Sequence, residues 1–158
     1  MNNLEQSQSW DELKIAFLPV KPQYAEKLMD GTKRFEFRRR PMRSDVTHIV
    51  IYASSPWKKI LGVVNVKSIE SGSVHAIWKS TKEWAGISRS VFLSYFEGSE
   101  LAYAIEIDPS QTLTLQRQVN PKEIDKNFVV PQSFMYVEPK FLRTLIACGS
   151  QIESQNAI

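Results

Sequence analysis

The chain has 158 residues, 42% hydrophobic and 23% charged, which suits one ordinary globular domain and excludes a wholly disordered chain. No apolar run approaches the roughly 18 residues a membrane span requires. The single cysteine, Cys148, excludes an internal disulfide. With a polar N-terminus lacking an apolar signal core, this places the protein in the cytoplasm with no membrane partner.

Residues 1–12 and 149–158 read as flexible tails around one domain at 13–148. Lys14–Val20 is a strand stopped by Pro19 and Pro22, and Pro22 suits the first turn of a helix. Tyr24, Ala25, Leu28 and Met29 recur at helical spacing up to Asp30, and Gly31 is the expected C-cap. In the strand Arg34–Arg40, alternation puts Phe35 and Phe37 on a core face and Arg34, Glu36, Arg38 and Arg40 on a charged face. Val46–Ala53 is a β-rich apolar run ending in the turn Ser54-Ser55-Pro56. Lys59–Ile69 is a further strand, where Gly62 marks a bulge or a close backbone approach.

Val74–Ala85 and Ser88–Phe96 read as short helices, with Ser73, Thr81 and Ser88 as cap candidates. Leu101–Ile107 is a strand ended by the turn signal Asp108-Pro109, and Thr112–Gln118 is another. Pro121–Asp125 makes one helical turn. Val129–Val137 is extended, and Pro139–Ala147 is a helix with Phe141, Leu142, Leu145 and Ile146 inward; Cys148 is a buried structural thiol. About six strands and a few short helices in mixed order exclude a regular βαβα sheet and predict an α+β fold, a small, partly open mixed β-barrel decorated by short helices.

The net charge of +3 is unevenly spread. Between Lys33 and Arg43 stand six basic residues and one acid, so this window carries +5 and the rest of the chain −2. A local patch of that kind focuses potential on phosphate groups. There is no glycine-rich phosphate loop and no dinucleotide fingerprint, and His48 and His75 lie far apart without cysteine neighbours, so neither a cofactor nor a metal is expected.

Gly31, Lys33, Glu36 and Arg38 spell G-x-K-x-x-E-x-R. Two cations beside Glu36 favour its ionised form, which accepts a hydrogen bond from a base edge or an attacking group, and Arg38 can fork onto a phosphate. The competing reading of the same spacing is a solvated strand face with ordinary ion pairs. The motif resembles the signature of the ASCH family, a branch of the PUA-like superfamily. Leu18-Pro19-Val20-Lys21-Pro22 with Tyr24-Ala25, Tyr52-Ala53-Ser54-Ser55-Pro56, Gly86-Ile87-Ser88, Tyr103-Ala104-Ile105 and Pro131-Gln132-Ser133-Phe134 extend the resemblance over Lys14–Val137. It implies a PUA-like barrel with a cleft beside the motif and an RNA-related role, enzymatic in some members; others are described as transcriptional regulators. One branch resembles an amidohydrolase of acylated cytidine, with lysine at the position of Lys33 and threonine at that of Glu36. Glu36 departs from that branch and follows the commoner family form.

Around the motif, Arg39, Arg40 and Arg43 extend the basic surface as general phosphate contacts. Ser54, Ser55, Lys58 and Lys59 suit a further phosphate contact. Trp57 is expected to pack against the barrel, with base stacking as the alternative. Tyr52 points either into the cleft or into the core, and Ser133 either closes the pocket or belongs to a strand edge. Three functions compete. The first is a module binding RNA or a nucleotide, with single-stranded DNA or a modified base fitting the same charges. The second is a hydrolase using Lys33 and Glu36, and the third a protein-interaction domain with a basic surface. No oligomeric state follows from the sequence.

Overall fold

The computed structural model describes residues 9–150. In chain order the elements are β1 (Ile15–Val20), α1 (Pro22–Asp30), β2 (Phe35–Arg38), β3 (His48–Ala53), β4 (Lys59–Ser73), α2 (Val74–Thr81), α3 (Arg89–Tyr95), β5 (Leu101–Val119), β6 (Met135–Val137) and α4 (Pro139–Gly149). The fold is α+β. Its six strands form one mixed sheet in the order β2-β5-β4-β3-β1-β6, in which only β1 and β3 run parallel.

The sheet is not a closed barrel, since β2 and β6 stand at its two ends. It nevertheless curls until those ends meet through side chains: Arg38 Nη2, at the end of β2, donates to Ser133 Oγ, just before β6, at 2.6 Å. Arg43, in the segment leaving β2, donates its backbone N–H to the Tyr136 hydroxyl on β6 at 2.9 Å. The cylinder is thus completed by a side-chain seam and not by a backbone ladder.

Three apolar clusters fix this shape. β3 is buried along its whole length, as expected of a continuous apolar run covered on both faces. Its Ile49 and Ile51 join Ala16, Leu18, Leu28 and Ile105 under α1, while Val50 joins Ile15, Phe17, Ile60 and Leu115 under α4. α2 and α3 cover the third cluster, built on Phe37, Ile77, Phe92 and Phe96. In α4, Leu142 and Leu145 are buried, whereas Phe141, Ile146 and Cys148 are only partly so.

Several local expectations are met. Gly31 caps α1 with φ +82°. Ser73 and Ser88 accept the backbone N–H groups of Ala76 and Val91, each at 3.2 Å, as N-caps. Gly62 lies at register shifts between β4 and both its neighbours, and a Cβ there would collide with the Leu113 carbonyl oxygen and the Met29 methyl. Thr81 stands at the N-cap position of the 3-10 turn Lys82–Trp84, but its side chain does not cap it: it is buried at the end of α2, with its hydroxyl donating to the Ile77 carbonyl. β1 runs through Pro19, because β6 pairs only with Ile15–Phe17 and leaves no ladder to lose on that side. Asp108-Pro109 interrupts the ladder without ending the strand. Asn65 pairs with Asp108 and Val63 already with Leu113, so the residues between bulge outward while β5 keeps β4 as its neighbour. The extended stretch expected at 129–137 shortens to β6.

Residues 1–8 and 151–158, most of the two expected tails, lie outside the described residues. Trp10–Glu12 forms a single 3-10 turn, with Trp10 packed against the second cluster. Among the described residues no helix is long and apolar enough to cross a membrane.

Candidate functional site

The segment after α1 places the first functional side chain. With α1 ended at Gly31, the Lys33 backbone N–H donates to the Lys27 carbonyl and the Arg34 N–H to the Trp84 carbonyl. Lys33 is thereby held against the loop between α2 and α3, where its Nζ donates to the Ala85 carbonyl at 2.5 Å. Gly86 follows with φ +66°, and a Cβ there would lie 2.6 Å from the Lys33 Cβ. The lysine stem therefore occupies space that only a glycine leaves free. Its ammonium stands 4.8 Å from the centre of the Phe37 ring and 5.6 Å from that of Tyr24.

β2 places the next two. Antiparallel pairing sets Glu36 opposite Ile105 and Phe37 opposite Ala104. Phe37 is buried in the third cluster and Phe35 packs against it, so the aromatic face enters the core as the alternation predicts. Glu36 is buried at 8% exposure. Arg38 Nη1 lies 3.8 Å from its Oε1, looser than a direct hydrogen bond, so the carboxylate keeps acceptor capacity. Arg34 leaves this group and lays its guanidinium on the exposed Trp84 ring at 3.7 Å.

Lys33, Glu36 and Arg38 line one cleft of about 510 Å³. Pro19, Val20, Lys21 and Tyr24 line it from β1 and α1, Phe37 lines it beside the charged trio, and Ile87, Ser90, Val91, Ser94 and Tyr95 line it from α3 and the residues before it. Arg39 reaches the rim, with its guanidinium 4.9 Å from the Tyr95 ring. Arg40 is exposed, and Arg43 is tied to Asp45 at 2.9 Å.

Burial dominates the electrostatics. It pushes the Lys33 ammonium down to about 8, with Glu36 opposing and Lys27 adding a smaller push. Burial also raises the Glu36 carboxyl above its usual range, outweighing Lys33 and Arg38. The expectation that two cations hold Glu36 ionised has the sign of their effect right, but desolvation is larger.

The remaining expected residues lie outside this lining. Tyr52 is in the core, 5% exposed, with its ring 5.3 Å from that of Phe17. Ser54 is half-buried and donates its N–H to the Val20 carbonyl at 2.9 Å, which pins the following turn to a cleft wall. Ser55 and Lys58 are exposed and Lys59 half-exposed. Trp57 is 39% exposed and is not packed against the sheet as expected. Ser133 is exposed and touches the site through Arg38. Register nevertheless gathers these residues at one end of the sheet: Pro19 pairs with Tyr52 and Val20 with Ala53, and Ser133 precedes Met135, the partner of Phe17.

The α3 wall was not among the expected site residues. Its signal is a helical stripe: Ile87, Ser90, Val91, Ser94 and Tyr95 recur at spacings of three and four, opposite the buried Phe92 and Phe96. Among the described residues no three His, Cys, Asp or Glu side chains group as metal ligands do.

The chain is 32% identical over 141 residues to a Zymomonas mobilis protein named an ASCH domain-containing ribonuclease, covering 89% of this chain and 95% of that one. The crystal structure of ASCH from Zymomonas mobilis superposes with a TM-score of 0.77 at 33% identity, over 89% of this chain and 99% of the other. The N-terminal domain of Staphylothermus marinus McrB aligns with a TM-score of 0.56 at 10% identity over 90% of this chain and 98% of that domain, a likeness of fold alone. The ASCH domain model matches residues 18–111, and the chain belongs to the ASCH domain family.

Proposed function

We propose that this protein binds single-stranded RNA, with one nucleotide seated in the cleft around Lys33, Glu36 and Arg38. The observation that carries the reading is the convergence of these three side chains in one concave site that Tyr24, Phe37 and Tyr95 also line. A solvated strand face would leave them spread and exposed, and an interaction surface would present them convexly. The volume suits a nucleoside-sized ligand. Arg39, beside Tyr95, and the exposed Arg40 follow the motif, and Lys58 and Lys59 follow the turn that Ser54 holds to Val20. In this reading these cations meet the backbone at phosphates, with Ser54, Ser55 and Ser133 as neutral donors. Tyr52 supports that end of the sheet from the core. Titration with a fluorescent oligoribonucleotide at several salt concentrations tests the reading. Binding should weaken as salt rises, with a slope of about −0.7 per phosphate engaged, and Arg38→Ala should weaken it further. Binding that ignores both salt and Arg38→Ala would sink the proposal.

A second reading, cleavage of the bound RNA, is favoured by the ribonuclease name of the Zymomonas mobilis relative. Lys33, with its ammonium near 8, would act as the proton-transfer group and Glu36 as its charged partner. Turnover of single-stranded RNA that is lost in Lys33→Ala establishes this reading. Turnover of acylated cytidine would instead point to amidohydrolase chemistry.

A further inference from the structure

Glu36 is buried, lines the cleft and holds its nearest cation, Arg38, only at 3.8 Å. A carboxylate in that position is an acceptor without a direct donor, and leaving it so after a ligand expels water is costly. A ligand that fills the cleft must therefore bring its own hydrogen-bond donors to Glu36, and a base seated there does so with N–H groups. The neighbouring Lys33 and Arg38 offer only N–H donors, and so require acceptors of the same ligand.

The four common bases differ in how they meet such a pair. Uracil sets one N–H between two carbonyl oxygens, so a second carboxylate oxygen would face a lone pair. Adenine and cytosine each place one amino group beside a ring acceptor. Guanine alone presents two adjacent donors, N1–H and the exocyclic N2–H, for the two oxygens of one carboxylate, with O6 next to them as an acceptor. From this complementarity we infer that the cleft selects guanine, with Glu36 reading its N1–H and N2–H edge and Lys33 or Arg38 meeting O6. Tyr24 and Tyr95, which both line the cleft, supply the aromatic surface beside the base. The inference rests on the proposed nucleotide reading of this cleft and adds its base preference.

Calorimetric titration of the full chain with GMP, IMP, AMP, CMP and UMP tests it. GMP should bind most tightly, by roughly 10-fold or more over AMP, CMP and UMP, as a good bidentate pair discriminates. IMP keeps N1–H and O6 but lacks the exocyclic amine, and should fall toward the other three. Glu36→Gln replaces one acceptor by a donor and should remove the preference, with circular dichroism confirming the fold; the wild-type panel decides the matter even if that variant does not fold. Equal affinity for all the monophosphates, or for GMP and IMP, overturns the guanine preference and leaves the RNA reading standing. If no monophosphate binds while single-stranded RNA does, the inference alone fails; if neither binds, both fail.

Discussion

Lys33 carries an ammonium whose proton the fold releases near 8, whereas an unfolded chain keeps it to 10.5. Between those values the unfolded state binds more protons, so stability rises with pH through that window and takes no slope from Lys33 below it. Lys33→Met should abolish the ramp. In urea titrations the wild type should gain about 2 kcal/mol relative to Lys33→Met between pH 7.5 and 9.5; parallel profiles would show that the amine is not desolvated. Glu36 works with the opposite sign, because the fold holds its proton above 4.5 and stability falls as pH rises from there. The motif was legible in the sequence because residue type and a spacing of two suffice to put Glu36 and Arg38 on one strand face. Its burial was not, since that depends on Ala85, Gly86 and α3, about 50 residues away.

At the scale of elements, the loop between α2 and α3 does as much for the site as β2. It accepts the Lys33 ammonium at Ala85, the Arg34 backbone N–H at Trp84 and the Lys27 ammonium at Gly86, the last at 3.3 Å. Gly86→Ala puts a methyl group at positive φ and into the Lys33 stem. It should cost about 1–3 kcal/mol by overpacking and strain, and weaken ligand binding without touching a charged group. Thermal melts and RNA titration of one sample check both effects, and unchanged binding would separate the loop from the site. Most elements could be read from the sequence because their caps and periods are local: Gly31, Ser73 and Ser88 lie where the expected ends lie. β5 was harder, as Asp108-Pro109 is an ordinary turn signal and only the long partner β4 carries the chain past it. The α3 side of the cleft is unmarked in the sequence because Ser90 and Ser94 carry no charge.

Over the whole molecule, the curl of the sheet ends in the contacts of Arg38 with Ser133 and Arg43 with Tyr136. Ser133→Ala removes one of them and should cost about 1 kcal/mol. The loss should be local: hydrogen exchange should quicken in β2 and β6 while β3 stays protected, and uniform quickening would mean the seam matters to global stability instead. The sequence conveyed the α+β class, the strand number and a partly open barrel, but not how its two ends meet, since local patterning does not tell which side chains join the first and last strands of a sheet.

A cylinder joined by side chains keeps two strands with an unladdered side, and strands of that kind are where proteins aggregate edge to edge. β2 runs straight into Arg38, Arg39 and Arg40. Whatever these arginines do for a ligand, like charges on an unladdered strand are what proteins place against edge-to-edge pairing, so replacing Arg39 and Arg40 by alanine should lower the concentration at which the protein aggregates in a light-scattering assay.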